Sequence, residues 1–120
     1  MIIIRTKPAV INWADVMEHE VAPGVFQKII SGQNHMMVMW RMLKGTVASV
    51  HAHPHEQMTL ILSGRIEGTL GDEPITLGPG DLVFVPPNVP HGGLMREDVE
   101  MLETFAPPRE DLLGEPTFGH

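Results

Sequence analysis

The chain has 120 residues, 42% hydrophobic and 19% charged, with a formal net charge of −7 from eight Lys and Arg against fifteen Asp and Glu. That size and balance describe a single globular domain with one core, and the scattered basic residues exclude a reader of phosphate backbones, so no nucleic acid is expected. No cysteine occurs, which excludes disulfides and thiolate metal ligands; no apolar run approaches the roughly 18 residues of a membrane span.

The apolar start, Met1 to Ile4, precedes Arg5 and Lys7. A signal peptide has its charges first, so a cytoplasmic location is the default expectation. The segment 1–10 reads as an apolar leading strand, free at a chain end to add to a partner's sheet. Asn12–Glu20 carries one helical signal, with Asn12 placed to cap a single turn. From there Gly and Pro punctuate the chain at short intervals. Pro23-Gly24, Gly32, Gly45, Gly64, Gly71-Asp72, Gly78-Pro79-Gly80, Pro86-Pro87 and Pro107-Pro108 separate short apolar or alternating runs. Those runs are Val25–Ile30, Met36–Leu43, Met58–Leu62, Arg65–Leu70, Leu82–Val85 and Val99–Phe105. Short strands with turn signals between them predict an all-β sandwich or barrel. Gly71-Asp72-Glu73-Pro74 predicts a hairpin turn. Arg109–Leu113 is the second short helical candidate, and Gly114–His120 is expected to be a loose tail.

The chemistry concentrates in HAHPHEQ, residues 51 to 57. Side chains alternate across a strand. If a strand runs from His51 into Met58–Leu62, then His51, His53 and Gln57 share a face, and Glu56 points the other way. Two imidazoles and an amide oxygen make half of an octahedral site. His91 ends the stretch Pro86-Pro87-Asn88-Val89-Pro90-His91, where prolines limit its freedom; it becomes the fourth ligand if its strand neighbours the first. His55 shares parity with the ligands but sits beside the Pro54 kink, which leaves it either lining the pocket or on the surface. His19, His35 and His120 lack partner spacing and read as surface residues. The plain alternative for the whole cluster is a set of fold relics around an empty barrel.

These spacings resemble the small cupins. Gly45-x5-His51-x-His53-x3-Gln57-x6-Gly64 resembles their first motif, and Gly80-x5-Pro86-x-Asn88-x2-His91 their second. The resemblance implies a cupin barrel (a double-stranded β-helix, or jelly roll) over residues 1–120, with one divalent metal ion held by His51, His53, Gln57 and His91. The sequence departs from the pattern three times. Gln57 stands where Glu is usual. Asn88 stands where Gly is usual, and Asn tolerates a left-handed turn. Met95 replaces the usual closing Asn, which is expected to loosen that end of the motif. Three imidazoles and an amide leave a divalent ion its full charge, which favours Lewis-acid work over dioxygen chemistry. Imidazole and oxygen donors suit Zn, Ni, Fe, Mn or Cu alike.

Near the C-terminus, alternation puts Met101, Glu103 and Phe105 on one face of a strand, and Pro107-Pro108 turns the chain toward Arg109. Glu103 would move a proton, Phe105 would form an apolar wall, and Arg109 would grip a substrate carboxylate. The plain alternative is an edge strand whose Arg109 pairs with Glu110 or Asp111. This ending resembles the Asp-x-Phe-x-Pro-x-Arg-Glu-Asp of the pectin-degradation cupins, which ketonise unsaturated uronates and also carry a Gln in the metal set. Glu103 for Asp adds one methylene. Polyketide-cyclase cupins share the Gln as well and act on apolar, enolisable chains. The run Met36-Met37-Val38-Met39-Trp40-Arg41-Met42 reads as core packing, and any face of it that lines the pocket makes the site less polar.

The expected function is therefore a metal-dependent, isomerase-type ketonisation of an unsaturated uronate, with a carboxylated small molecule as substrate. The alternatives are a polyketide-cyclase-like or dioxygenase cupin and a ligand-binding cupin without turnover. A homodimer is expected, because the sheet edges invite pairing.

Overall fold

A computed structural model describes residues 2–114 and the backbone of residues 117–119. It contains twelve strands among the described residues. They are β1 (Ile3–Arg5), β2 (His19–Ala22), β3 (Val25–Ser31), β4 (Met36–Met42), β5 (Val47–His51), β6 (Glu56–Ser63), β7 (Ile66–Leu70), β8 (Glu73–Leu77), β9 (Leu82–Val85), β10 (His91–Met95), β11 (Val99–Ala106) and β12 (Thr117–Gly119). One short helix, α1 (Glu110–Leu113), follows β11. No helix among the described residues is long and apolar enough to cross a membrane.

The strands form two sheets. The larger runs β12-β1-β3-β4-β11-β6-β9, with β2 beside β3, and the smaller runs β5-β10-β7-β8. Alternation in the sequence becomes alternation in burial. On β4, Met36, Val38, Trp40 and Met42 point inward; on β6, Gln57, Thr59 and Ile61 do so, while Glu56 and Met58 are exposed. Val99, Met101 and Phe105 of β11 complete this side of the core, and Ile66 and Met95 supply the other. The six expected strands all form, each within a residue or two of its expected bounds.

The expected hairpin is present. Leu70 pairs with Glu73 across Gly71-Asp72, and Gly71 has φ 59°, the left-handed conformation that two-residue hairpin turns require. Asn88 likewise has φ 66°, so it takes the left-handed position expected of it. The expected helix at Asn12–Glu20 shrinks to one 3-10 turn, Trp13–Asp15, where the Ala14 N–H donates to Asn12 Oδ1 at 2.8 Å. Its end is already strand, because His19 pairs with Gln27.

Three local readings change. Met95 does not loosen its end of the motif: it is 2% exposed, and its backbone N–H and carbonyl bond to Thr46 and Gly45. A buried thioether and backbone ties do there what a polar side chain was expected to do. Within the stretch expected to be loose, Thr117–Gly119 pair in parallel with Ile3–Arg5. The leading strand is thereby held in its own chain, between β12 and β3.

Candidate metal centre and its cavity

His51, His53 and His91 converge, with one ring nitrogen of each within 4.8 Å of the others. They do not come from one strand. His51 ends β5 in the smaller sheet, Gln57 lies on β6 in the larger, and His53 sits in the crossover between them. The single strand expected from His51 through Leu62 is therefore broken at Pro54, and the shared face arises because two sheets close on each other. His91 opens β10 directly opposite His51, so its expected neighbour relation holds. Gly92 makes this approach possible, since a Cβ there would meet the Ala48 carbonyl oxygen at 2.7 Å. The Asn88 N–H donates to the His53 carbonyl at 2.8 Å, which ties the second motif to the first.

Each imidazole is oriented by its own backbone. The Nδ1 atoms of His51, His91 and His53 lie 2.8, 2.9 and 3.2 Å from the carbonyls of Ser49, Val89 and His55. A carbonyl only accepts, so each Nδ1 carries the proton and each Nε2 presents a lone pair. Gln57 offers a fourth candidate donor. Its Nε2 donates to Thr59 Oγ1 and Glu103 Oε2, which turns its Oε1 toward His53 Nε2 at 3.0 Å. Two lone pairs then face each other. Protonation of His53 would relieve them, but burial holds that imidazole below its ordinary pKa, and the Arg109 charge adds to the effect. A cation between Nε2 and Oε1 satisfies both. Burial lowers His91 in the same direction, keeping it in the neutral form a metal needs. The donor set fits a divalent ion.

Glu103 is on the cavity wall behind Gln57. Its Oε1 accepts from Trp40 Nε1 at 2.7 Å, and its Oε2 accepts from Gln57 Nε2 at 2.7 Å and Thr59 Oγ1 at 2.8 Å. Burial raises its pKa against the opposing pull of the Thr59 and Trp40 hydrogen bonds. Trp40 and Thr59 are members of this site that sequence reasoning missed. Thr59 had a usable signal, being two residues after Gln57 on the same strand face.

Arg109 also lines the cavity. Its Nε and Nη2 are clamped by the Asp111 carboxylate at 3.2 and 2.6 Å, and its guanidinium lies 5.1 Å from the Phe105 ring centre. The fork expected to receive a substrate carboxylate thus has one edge filled by Asp111. Phe105 is 1% exposed and stands behind the histidine cluster, its ring tilted 76° against His53 at 5.7 Å. It supports His53 instead of forming the cavity wall. His55 is neither a cavity residue nor a surface one. It is 5% exposed, its ring lies 5.3 Å from that of His53 at a tilt of 59°, and its Nε2 meets Glu110 Oε2 at 3.0 Å, tying α1 to the loop that carries His53. His35 is exposed and His19 half-buried, while His120 lies outside the described residues.

The cavity between the sheets has a volume of about 460 Å³. His51, Gln57, His91, Glu103 and Arg109 line it together with many apolar side chains, Trp40 and Met42 among them. One face of the Met-rich run therefore does reach the pocket.

The chain is similar to proteins of this architecture. It is 29% identical over 97 residues to an uncharacterised protein of Streptomyces coelicolor, covering 78% of this chain and 92% of that one. It superposes on an RmlC-like cupin from Shewanella frigidimarina with a TM-score of 0.83 at 26% identity, covering 88% of this chain and 96% of that one. It superposes on KdgF from Halomonas sp. with a TM-score of 0.81 at 31% identity, covering 90% of this chain and all of that one. The cupin domain family matches residues 38–105, from the centre of β4 to Phe105 on β11, and the chain belongs to that family.

Proposed function

We propose that the chain is a metal-dependent isomerase that ketonises a small carboxylated enol, with unsaturated uronates as the first substrates to assay. The observation that carries this reading is Glu103, a carboxylate with a raised pKa on the cavity wall, hydrogen-bonded to the candidate ligand Gln57. The likeness to KdgF and the C-terminal motif support the uronate. A divalent ion bound by His51, His53, His91 and Gln57 would supply Lewis acidity to the substrate's oxygens.

The chain's own residues account for the proton. Glu103 as carboxylate takes the enol O–H proton, and the C–O bond becomes C=O. The C=C electron pair takes a proton back from Glu103 at carbon, so the acid ends as it began. Raising its pKa by burial brings proton affinity closer to working pH. Trp40 and Thr59 fix the carboxyl orientation from both oxygens. Arg109, held by Asp111 and Phe105, meets the substrate carboxylate with its remaining edge. A homodimer in the cytoplasm belongs to the same proposal.

The test supplies unsaturated galacturonate to metal-replete protein and follows loss of the conjugated double bond in the ultraviolet. We expect acceleration over the spontaneous rate, and a several-fold rise in KM for Arg109→Ala. No acceleration in the wild type rules out the uronate.

A further inference from the structure

The cavity has two ends of different chemistry, and strand register separates them. At one end His91 pairs with His51 and with Leu70, and Gln57 pairs with Phe105 and Val85. Four residues further along, Met95 pairs with Ile66, which pairs with Leu77. On the facing sheet, Ile61 pairs with Met101, which pairs with Trp40. Four residues of strand span about 13 Å. The second end is thus more than a carboxylate's length from the metal cluster, and Met95, Ile66, Leu77, Ile61, Met101 and Met42 all line it. Thr46 also lines the cavity on that side.

A sugar acid has a hydroxyl on most of its carbons. Each hydroxyl pressed against these side chains without a partner weakens binding by roughly tenfold. Apolar carbons gain there instead, and the cavity of about 460 Å³ that the two ends share is large enough for a small ligand with a tail. Three of the six lining residues are methionines, whose thioethers adapt to an irregular tail.

We propose that the substrate is an acid-headed enol bearing an apolar tail of several carbons, which occupies the compartment formed by Met95, Ile66, Leu77, Ile61, Met101 and Met42. The inference rests on the preceding reading for the position of the head group and, among small carboxylated enols, favours a tailed acid over the hydroxylated uronate.

The test uses zinc-loaded protein and the straight-chain 2-oxo acids from pyruvate to 2-oxooctanoate, which carry a carboxylate and enolise. Binding is measured by calorimetry and by the fluorescence of Trp40 in a Trp13→Phe background. Affinity is expected to rise about fourfold per added methylene over at least the first three carbons. A flat or falling series overturns the proposal. Leu77→Trp, checked for a native melting transition, is expected to stop the rise at a shorter chain. An undiminished rise in that variant overturns the location, and the wild-type series decides the tail if the variant does not fold. Pyruvate titrated with and without zinc tests the head group separately. Binding that ignores the metal removes the preceding reading of that end, while the slope still decides the tail.

Discussion

Glu103→Gln tests the site through its hydrogen bonds as well as its chemistry. Glu103 accepts three donors on two oxygens: Trp40 Nε1 on one, Gln57 Nε2 and Thr59 Oγ1 on the other. An amide has one accepting oxygen, so its NH₂ must face either the Trp40 N–H or the Gln57 N–H. An N–H set against an N–H costs about 1–3 kcal/mol. Removing a carboxylate that burial disfavours offsets part of this, and Tm should fall by roughly 5 °C for each kcal/mol that remains. Gln57 has an escape: it can rotate its amide and accept from Gln at 103. That rotation turns its NH₂ toward His53 and removes the fourth metal donor, so metal affinity should fall about 10- to 100-fold. Turnover should fall by about 10²-fold or more, because an amide moves no proton. Thermal melts, metal titration monitored by calorimetry, and turnover at saturating metal separate the three effects. A variant with wild-type metal affinity and wild-type kcat would refute both the coupling of Glu103 to Gln57 and its role as proton carrier.

Gln57→Glu places a second carboxylate 2.7 Å from the first, where the amide N–H now sits. The metal-free variant should melt below the wild type by several degrees, and divalent metal should recover the loss, since two like charges share one pocket until a cation arrives; equal melts without metal would count against the contact. The iron-loaded variant should also be easier to oxidise, read as a lowered potential. Asp111 is held below the ordinary carboxylate pKa chiefly by its Arg109 hydrogen bond. Its stabilisation is present above its unfolded pKa of 3.8 and is lost as pH falls through the lower folded value. The stability gap between wild type and Asp111→Asn in urea should therefore be constant at neutral pH and close only below about pH 4; a gap that widens on acidification contradicts the pairing. The outer face of β6 and β9 exposes Met58, Leu62, Leu82 and Phe84, with Met58 opposite Phe84 at an edge strand. A homodimer buried on this face should sediment as a dimer at micromolar concentration and dissociate in Phe84→Glu; a 13 kDa wild-type species would refute it.

Much of the barrel was readable in order because its signals are local. Gly and Pro mark the turns at Gly71-Asp72 and Asn88, and the two-residue period of β4, β6 and β11 states which side chains face inward. The same parity argument set Glu56 outward and Gln57 inward. Local signals do not say which sheet a strand joins. His51 and Gln57 look like one strand in sequence and belong to opposite sheets in the fold, because the crossover at Pro54 is set by long-range pairing of β5 with β10 and of β6 with β11. Partner choice was equally out of reach. The Glu103 carboxylate and the Gln57 amide are 46 residues apart and meet only because β6 and β11 are neighbours. The sequence by itself determined the barrel, its turns and the residue types of the candidate metal set. Tertiary structure alone decided that Gln57 is aimed by Glu103, that Asp111 occupies one edge of Arg109, and that the cavity beyond the histidines is apolar, because each depends on pairings that close over tens of residues.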